Sequence, residues 1–138
     1  MAEARGFFGR ALIADPNNID ALIGSAAADA IAGALVFVPD PVAAFAEAEA
    51  KLSKALASAP DHARAHMYLG LVEMWTKRGA RGIAECEHAL TRDRNFASAY
   101  HFIGIGKILI ARAEETEAHI QEALRLSPRG RGRPPERP

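Results

Sequence analysis

The sequence predicts an all-α fold of stacked antiparallel helix pairs, about seven helices in all, and three observations carry that expectation. The first is composition. Of 138 residues, 49% are hydrophobic and 30 are alanine while only nine are aromatic, which suits close-packed helices better than a sheet-rich sandwich or barrel. The second is an internal period of 34 residues. Leu69-Gly70 recurs as Ile103-Gly104, Ala63-x-Ala65 as Ala97-x-Ala99, Gly79 as Ala113, Ala84 as Ala118, and Ala89-Leu90 as Ala123-Leu124. The third is punctuation: Pro16, Pro60 and Pro128 each follow a run of small and apolar residues at helical spacing, where a proline stops a helix.

Read in order, the elements begin with a half-repeat over residues 1–16, in which Ala4, Phe8, Ala11-Leu12 and Pro16 mark a single helix. Asp15-Pro16-Asn17-Asn18 then places helix-ending and helix-capping residues back to back. The next repeat, residues 17–62, closes on Ala48, Leu52, Ala55-Leu56 and Pro60. Its prolines are 44 residues apart, ten more than the period, and the surplus near Gly33 to Val42 predicts a lengthened first helix ending before Pro39-Asp40-Pro41. Residues 63–96 hold His66-x-x-Leu69-Gly70, then Gly82, Cys86 and Ala89, with Arg94 at the closing position. Residues 97–128 hold Tyr100-x-x-Ile103-Gly104, then Thr116, Ile120, Ala123 and Pro128.

These residues resemble the tetratricopeptide repeat, whose pattern runs from an aromatic through Leu-Gly to Ala, a large apolar residue, Ala and a closing Pro. The resemblance implies a right-handed superhelical solenoid over residues 1–128, in which each pair of helices buries its apolar faces only against its neighbours. A narrower similarity, over Gly82 to Leu90 and Glu114 to Pro128, is to the repeat tails of bacterial class III nucleotide cyclase and winged-helix regulatory proteins. It implies a detached regulatory fragment as an alternative, since neither catalytic nor DNA-binding residues of those proteins accompany it.

Function in this family resides on the concave groove lined by the first helix of each pair. Carried onto this chain, the resemblance assigns the groove to Arg64, Met67, Leu71, Met74 and Trp75, then Ser98, His101, Ile105, Ile108 and Leu109. Met67 and Leu71 stand where chaperone-binding members hold charged or amide groups, so a clamp for a terminal carboxylate is not expected. The apolar lining points to a protein segment or amphipathic helix as partner, with the methionines and the tryptophan as adaptable contacts. The plainer reading of the same residues is core. A second expectation concerns the ends of the array. Phe7, Phe8, Leu12 and Ile13 have no preceding helix to cover them, and Ile120, Leu124 and Leu126 have none following, which favours self-association as a homodimer.

Other chemistry finds little support. The 17 basic and 17 acidic residues give zero formal charge, although Arg129 to Pro138 carries a local +3 and reads as a disordered basic tail. Without a further basic patch or interleaved aromatics, specific nucleic-acid binding is not expected. No apolar run reaches the roughly 18 residues of a membrane span. The single Cys86 and the lack of a charged-then-apolar leader at the start predict a reducing, cytoplasmic setting.

Phosphate-binding loops and nucleophile elbows are absent, and Gly104-x-Gly106 falls inside a helix, where it reads as close packing. His62 and His66 share a helical face as some zinc sites require, yet no HExxH motif or third ligand accompanies them. Cys86, between Glu85 and Glu87, reads as core rather than as a thiolate. The run Glu114, Glu115, Glu117 and Glu122 reads as a solvated helix face. No catalytic residue, metal or cofactor is assigned. A small-ligand or metal-binding helical protein remains the alternative from another class.

Overall fold

A computed structural model describes residues 2–126, and every described regular element is an α-helix. Pro128 and the predicted tail, residues 129–138, lie outside the described residues. The helices are α1 (Ala2–Ala14), α2 (Ile19–Ala34), α3 (Pro41–Ser58), α4 (Ala63–Trp75), α5 (Gly79–Arg92) and α6 (Ala97–Leu126). That is six among the described residues where seven were expected.

The missing boundary is in α6, which runs unbroken for 30 residues where the period called for two helices and a turn. The cause is local. Between α4 and α5 the chain turns through Thr76-Lys77-Arg78, with Lys77 at φ 63°, and the positions 34 residues later are Ile110-Ala111-Arg112. Ala111 is the best helix former, and Ala113 replaces Gly79, so helix continues.

The starts of α2 and α3 follow their capping residues. Asn18 accepts the Ala21 N–H at 3.0 Å to start α2. Asp40 accepts the Ala43 N–H at 3.1 Å, and Pro41 opens α3, where a proline costs no hydrogen bond. The expected lengthening of α2 is modest, because the helix ends at Ala34 and the surplus forms the linker Leu35–Asp40. There the Phe37 N–H reaches back to the Ala32 carbonyl at 2.8 Å, and Val36 takes φ 57°, a left-handed conformation that β-branched residues rarely adopt.

Sequence neighbours pack as α1 on α2, α2 on α3, α3 on α4, α4 on α5 and α5 on α6, and alternate helices touch as α2 with α4 and α4 with α6. Two cores result. One joins Leu22, Ile23, Phe45, Leu52, Leu71 and Val72; the other joins Met67, Met74, Cys86, Ala89 and Ala99. Alanine and glycine let the helices close over these side chains. Phe8 lies across Gly24, and Phe45 across Gly33.

Buried charge adds specific ties between helices. Asp29 of α2, almost fully buried, pairs with Arg5 of α1 at 3.0 Å and with Lys51 of α3 at 2.6 Å, and Lys51 also donates to the Ser25 hydroxyl at 2.8 Å. Arg78 holds Glu49 through two 2.9 Å bonds and so fastens the α4–α5 turn to α3. This bidentate geometry holds the Glu49 carboxyl below its ordinary range, as an adjacent guanidinium does.

Candidate functional site

The predicted groove residues divide into three groups. Met67, Leu71 and Met74 are core, all nearly inaccessible to solvent. The physical reason is visible at Met74, whose side chain enters the space left by Gly82 and Gly106; a Cβ at either glycine would crowd it. Arg64 is exposed, with its guanidinium 6.0 Å from the Tyr68 ring centre. Ser98, His101 and Ile108 are exposed, and Ile105 is half-buried. These last four lie beside, not on, the face of α6 formed by Ala99, Phe102 and Gly106, which packs on the body. The groove assigned by resemblance is therefore not one continuous surface.

Trp75 is the exposed member of that set beside a concave surface, which Met74 and Leu109 share. It is 41% exposed and lines a cavity of about 470 Å³ together with Met74, Gly79, Leu109, Ile110 and Ala113. Lys77, Glu114 and Glu117 also line it. The site exists because α4 ends at Trp75 and the tight turn carries the chain into α5, while α6 runs past both. Its chemistry is that of an apolar recess with charged edges, suited to an aliphatic side chain.

Along and beyond the recess, every residue from Ala111 to Leu126 is exposed except Leu124, which is half-buried. Of the predicted self-association residues, Ile120 and Leu124 thus stand on a free half-helix. At the other end, Phe7 is exposed and meets the half-buried Phe8 edge-on at 5.4 Å, and Leu12 is half-buried against the first core. Ile13 is exposed. A further apolar patch escaped the sequence reading: Leu35, Val36 and Phe37, with Val42 nearby in the chain, are all exposed. The only advance signal was the ten-residue surplus.

The histidines form a structural cluster. His66 places Nδ1 2.6 Å from Glu85 Oε2 and Nε2 2.7 Å from the Pro60 carbonyl oxygen, and its ring lies 4.0 Å from that of His88. Both neighbours of the His66 ring are acceptors, so the residue links the α3–α4 connection to α5. His62 and His66 do not converge with a third ligand, and among the described residues no three His, Cys, Asp or Glu side chains form a set that could hold a metal ion. Cys86 is fully buried, and burial followed by Glu85, Glu73 and Glu87 pushes its thiol up to about 12, the opposite of an activated nucleophile.

No family model, curated protein or solved structure matches the chain. No described helix is long and apolar enough to cross a membrane.

Proposed function

We propose that this chain is a non-catalytic protein-interaction module, built as a tetratricopeptide-like right-handed solenoid, that engages protein segments through apolar surface and self-associates through its open ends. The single observation carrying the reading is the apolar recess at Trp75, open to solvent and continued by a free half-helix. Contacts between alternate helices, α2 with α4 and α4 with α6, support the solenoid, because such stacks are held by nearest repeats.

An amphipathic helix fits this recess better than a charged peptide. Aliphatic side chains would enter between Trp75 and Ala113, and Lys77, Glu114 and Glu117 would orient polar flanks. Trp75 is the only tryptophan and reports occupancy directly. Titration of the chain with a panel of amphipathic helical peptides should move its emission to shorter wavelength, and Ala113→Glu should abolish the response. A panel that leaves Trp75 unchanged while the chain is folded and monomeric would refute peptide binding at the recess.

A further inference from the structure

The stripe by which α6 packs on the body does not stop where the body stops. Ala99, Ile103, Gly106 and Ile110 face α4 and α5 and recur at alternating spacings of four, three and four residues. Continued with the same alternation, the stripe reaches Ala113, Glu117, Ile120 and Leu124. This is the heptad seam of a helix made to pack against another helix. Over its second half, from Ala111 to Leu126 and about 24 Å at 1.5 Å per residue, no described residue covers it. A bare helix of this length is marginal in water.

We propose, building on the interaction reading above, that the free half of α6 is a dimerisation arm whose partner is the same arm of a second copy, packed antiparallel about a two-fold axis between Ala118 and His119. The antiparallel sense follows from the charge and the recess. In a parallel pair, Glu117 would face Glu117 across the seam and both recesses would stay open. In the antiparallel pair, Glu117 lies beside Ile120 of the second copy, where its aliphatic stem packs and its carboxylate reaches solvent. Ala113 then meets Leu124 of the second copy, which caps the recess at Trp75. The arrangement is self-complementary and closes after two chains, as a two-fold interface must. It also places the two bodies at opposite ends of the paired arms, where they do not collide.

The test is the light-scattering mass of the full chain over a concentration series, alone and as single variants. The unmodified chain should reach twice 14.8 kDa, with Trp75 emission moving to shorter wavelength as the dimer forms. Ile120→Glu and Leu124→Glu should each give the monomer mass, with circular dichroism keeping the helical signal of the body and losing at most that of the bare arm. Leu126→Glu should leave the dimer intact, since Leu126 is 67% exposed but off the seam. A monomer at every concentration, as an arm folded back on its own chain would give, overturns the proposal. So does a dimer that survives both seam substitutions. Because mass is read with no peptide present, either result stands apart from the peptide titration: a monomer that still binds peptides removes only the arm's role.

Discussion

Gly70 of α4 and Gly82 of α5 lie back to back across their helix crossing. A Cβ on Gly70 would stand 2.6 Å from the Gly82 carbonyl oxygen, and one on Gly82 2.5 Å from that of Gly70. Neither obstacle can yield, because both are backbone. Gly70→Ala and Gly82→Ala should therefore each lower stability, by about 1–3 kcal/mol for forced overpacking, despite the better helix propensity of alanine. Gly104, one repeat after Gly70, has nothing within 4 Å of its built Cβ. Gly104→Ala should raise stability by about 0.5–1 kcal/mol, the ordinary gain of alanine over glycine in a helix. Urea unfolding of the three variants checks the sign reversal. Equal effects at Gly70 and Gly104 would mean that α6 is covered in solution as α4 is.

Asp29 is the charged residue on which three helices converge, since Arg5 and Lys51 reach it from either side of α2. Both cations are partly exposed and can return to water, so the loss on Asp29→Ala is that of charge-assisted hydrogen bonds rather than of a stranded buried ion. The expected cost is about 1.5–3 kcal/mol. Ser25→Ala, which removes only the hydroxyl that receives Lys51, should cost about 1 kcal/mol or less. Thermal or urea unfolding of the two variants checks the order.

Much of the helix layout was legible because its signals are local. Pro16, Asn18, Asp40-Pro41 and Pro60 each act within a few residues, and the helices begin or end beside them. The unbroken α6 was written at Ala111 to Ala113, but the 34-residue period masked it: a repeat argument assumes a turn wherever the preceding copy has one. The groove was less legible. Whether Met74 is wall or core depends on Gly82 and Gly106, which lie on two other helices. Asp29 gave no advance sign either, since its partners are 24 and 22 residues away and nothing in their spacing joins them.

Glu73 is a buried carboxylate with one oxygen 3.2 Å from Arg81 and the other, Oε2, without a hydrogen-bond partner. Burial, outweighing the attraction of Arg81, raises its pKa above the ordinary value of 4.5. The folded state then holds this proton more tightly than the unfolded chain, so stability contributed here is present below pH 4.5 and falls as pH rises through the shifted value. Glu73→Gln should remove that loss. Urea unfolding of variant and unmodified chain at pH 4 and pH 7 should show the variant gaining relative stability at the higher pH. A constant difference between the two would assign Glu73 no part in the pH response.

Cys86 makes the alkaline counterpart. Its thiol is fully buried beneath α4, with Sγ 3.8 Å from the Met67 carbonyl oxygen, and burial first, then Glu85, Glu73 and Glu87, raises it from 9.0 to about 12. In the native protein at pH 8 a thiol reagent should find no thiolate and no path, so reaction waits on opening of the α4–α5 pair. The sign of the pH effect follows from the same shift. Below pH 9 both states hold the proton and stability is indifferent; above it the unfolded chain releases the proton first, and stability falls by about 1.4 kcal/mol per pH unit until the folded thiol also titrates. Comparison with Cys86→Ala isolates this contribution from those of tyrosine and lysine. The difference in unfolding free energy between the two proteins should be flat from pH 6 to 8 and shift in favour of the variant above pH 9. Rapid labelling of native protein at pH 8, with no acceleration in mild urea, would show instead that Cys86 is accessible and that α5 is not seated on α4 as described.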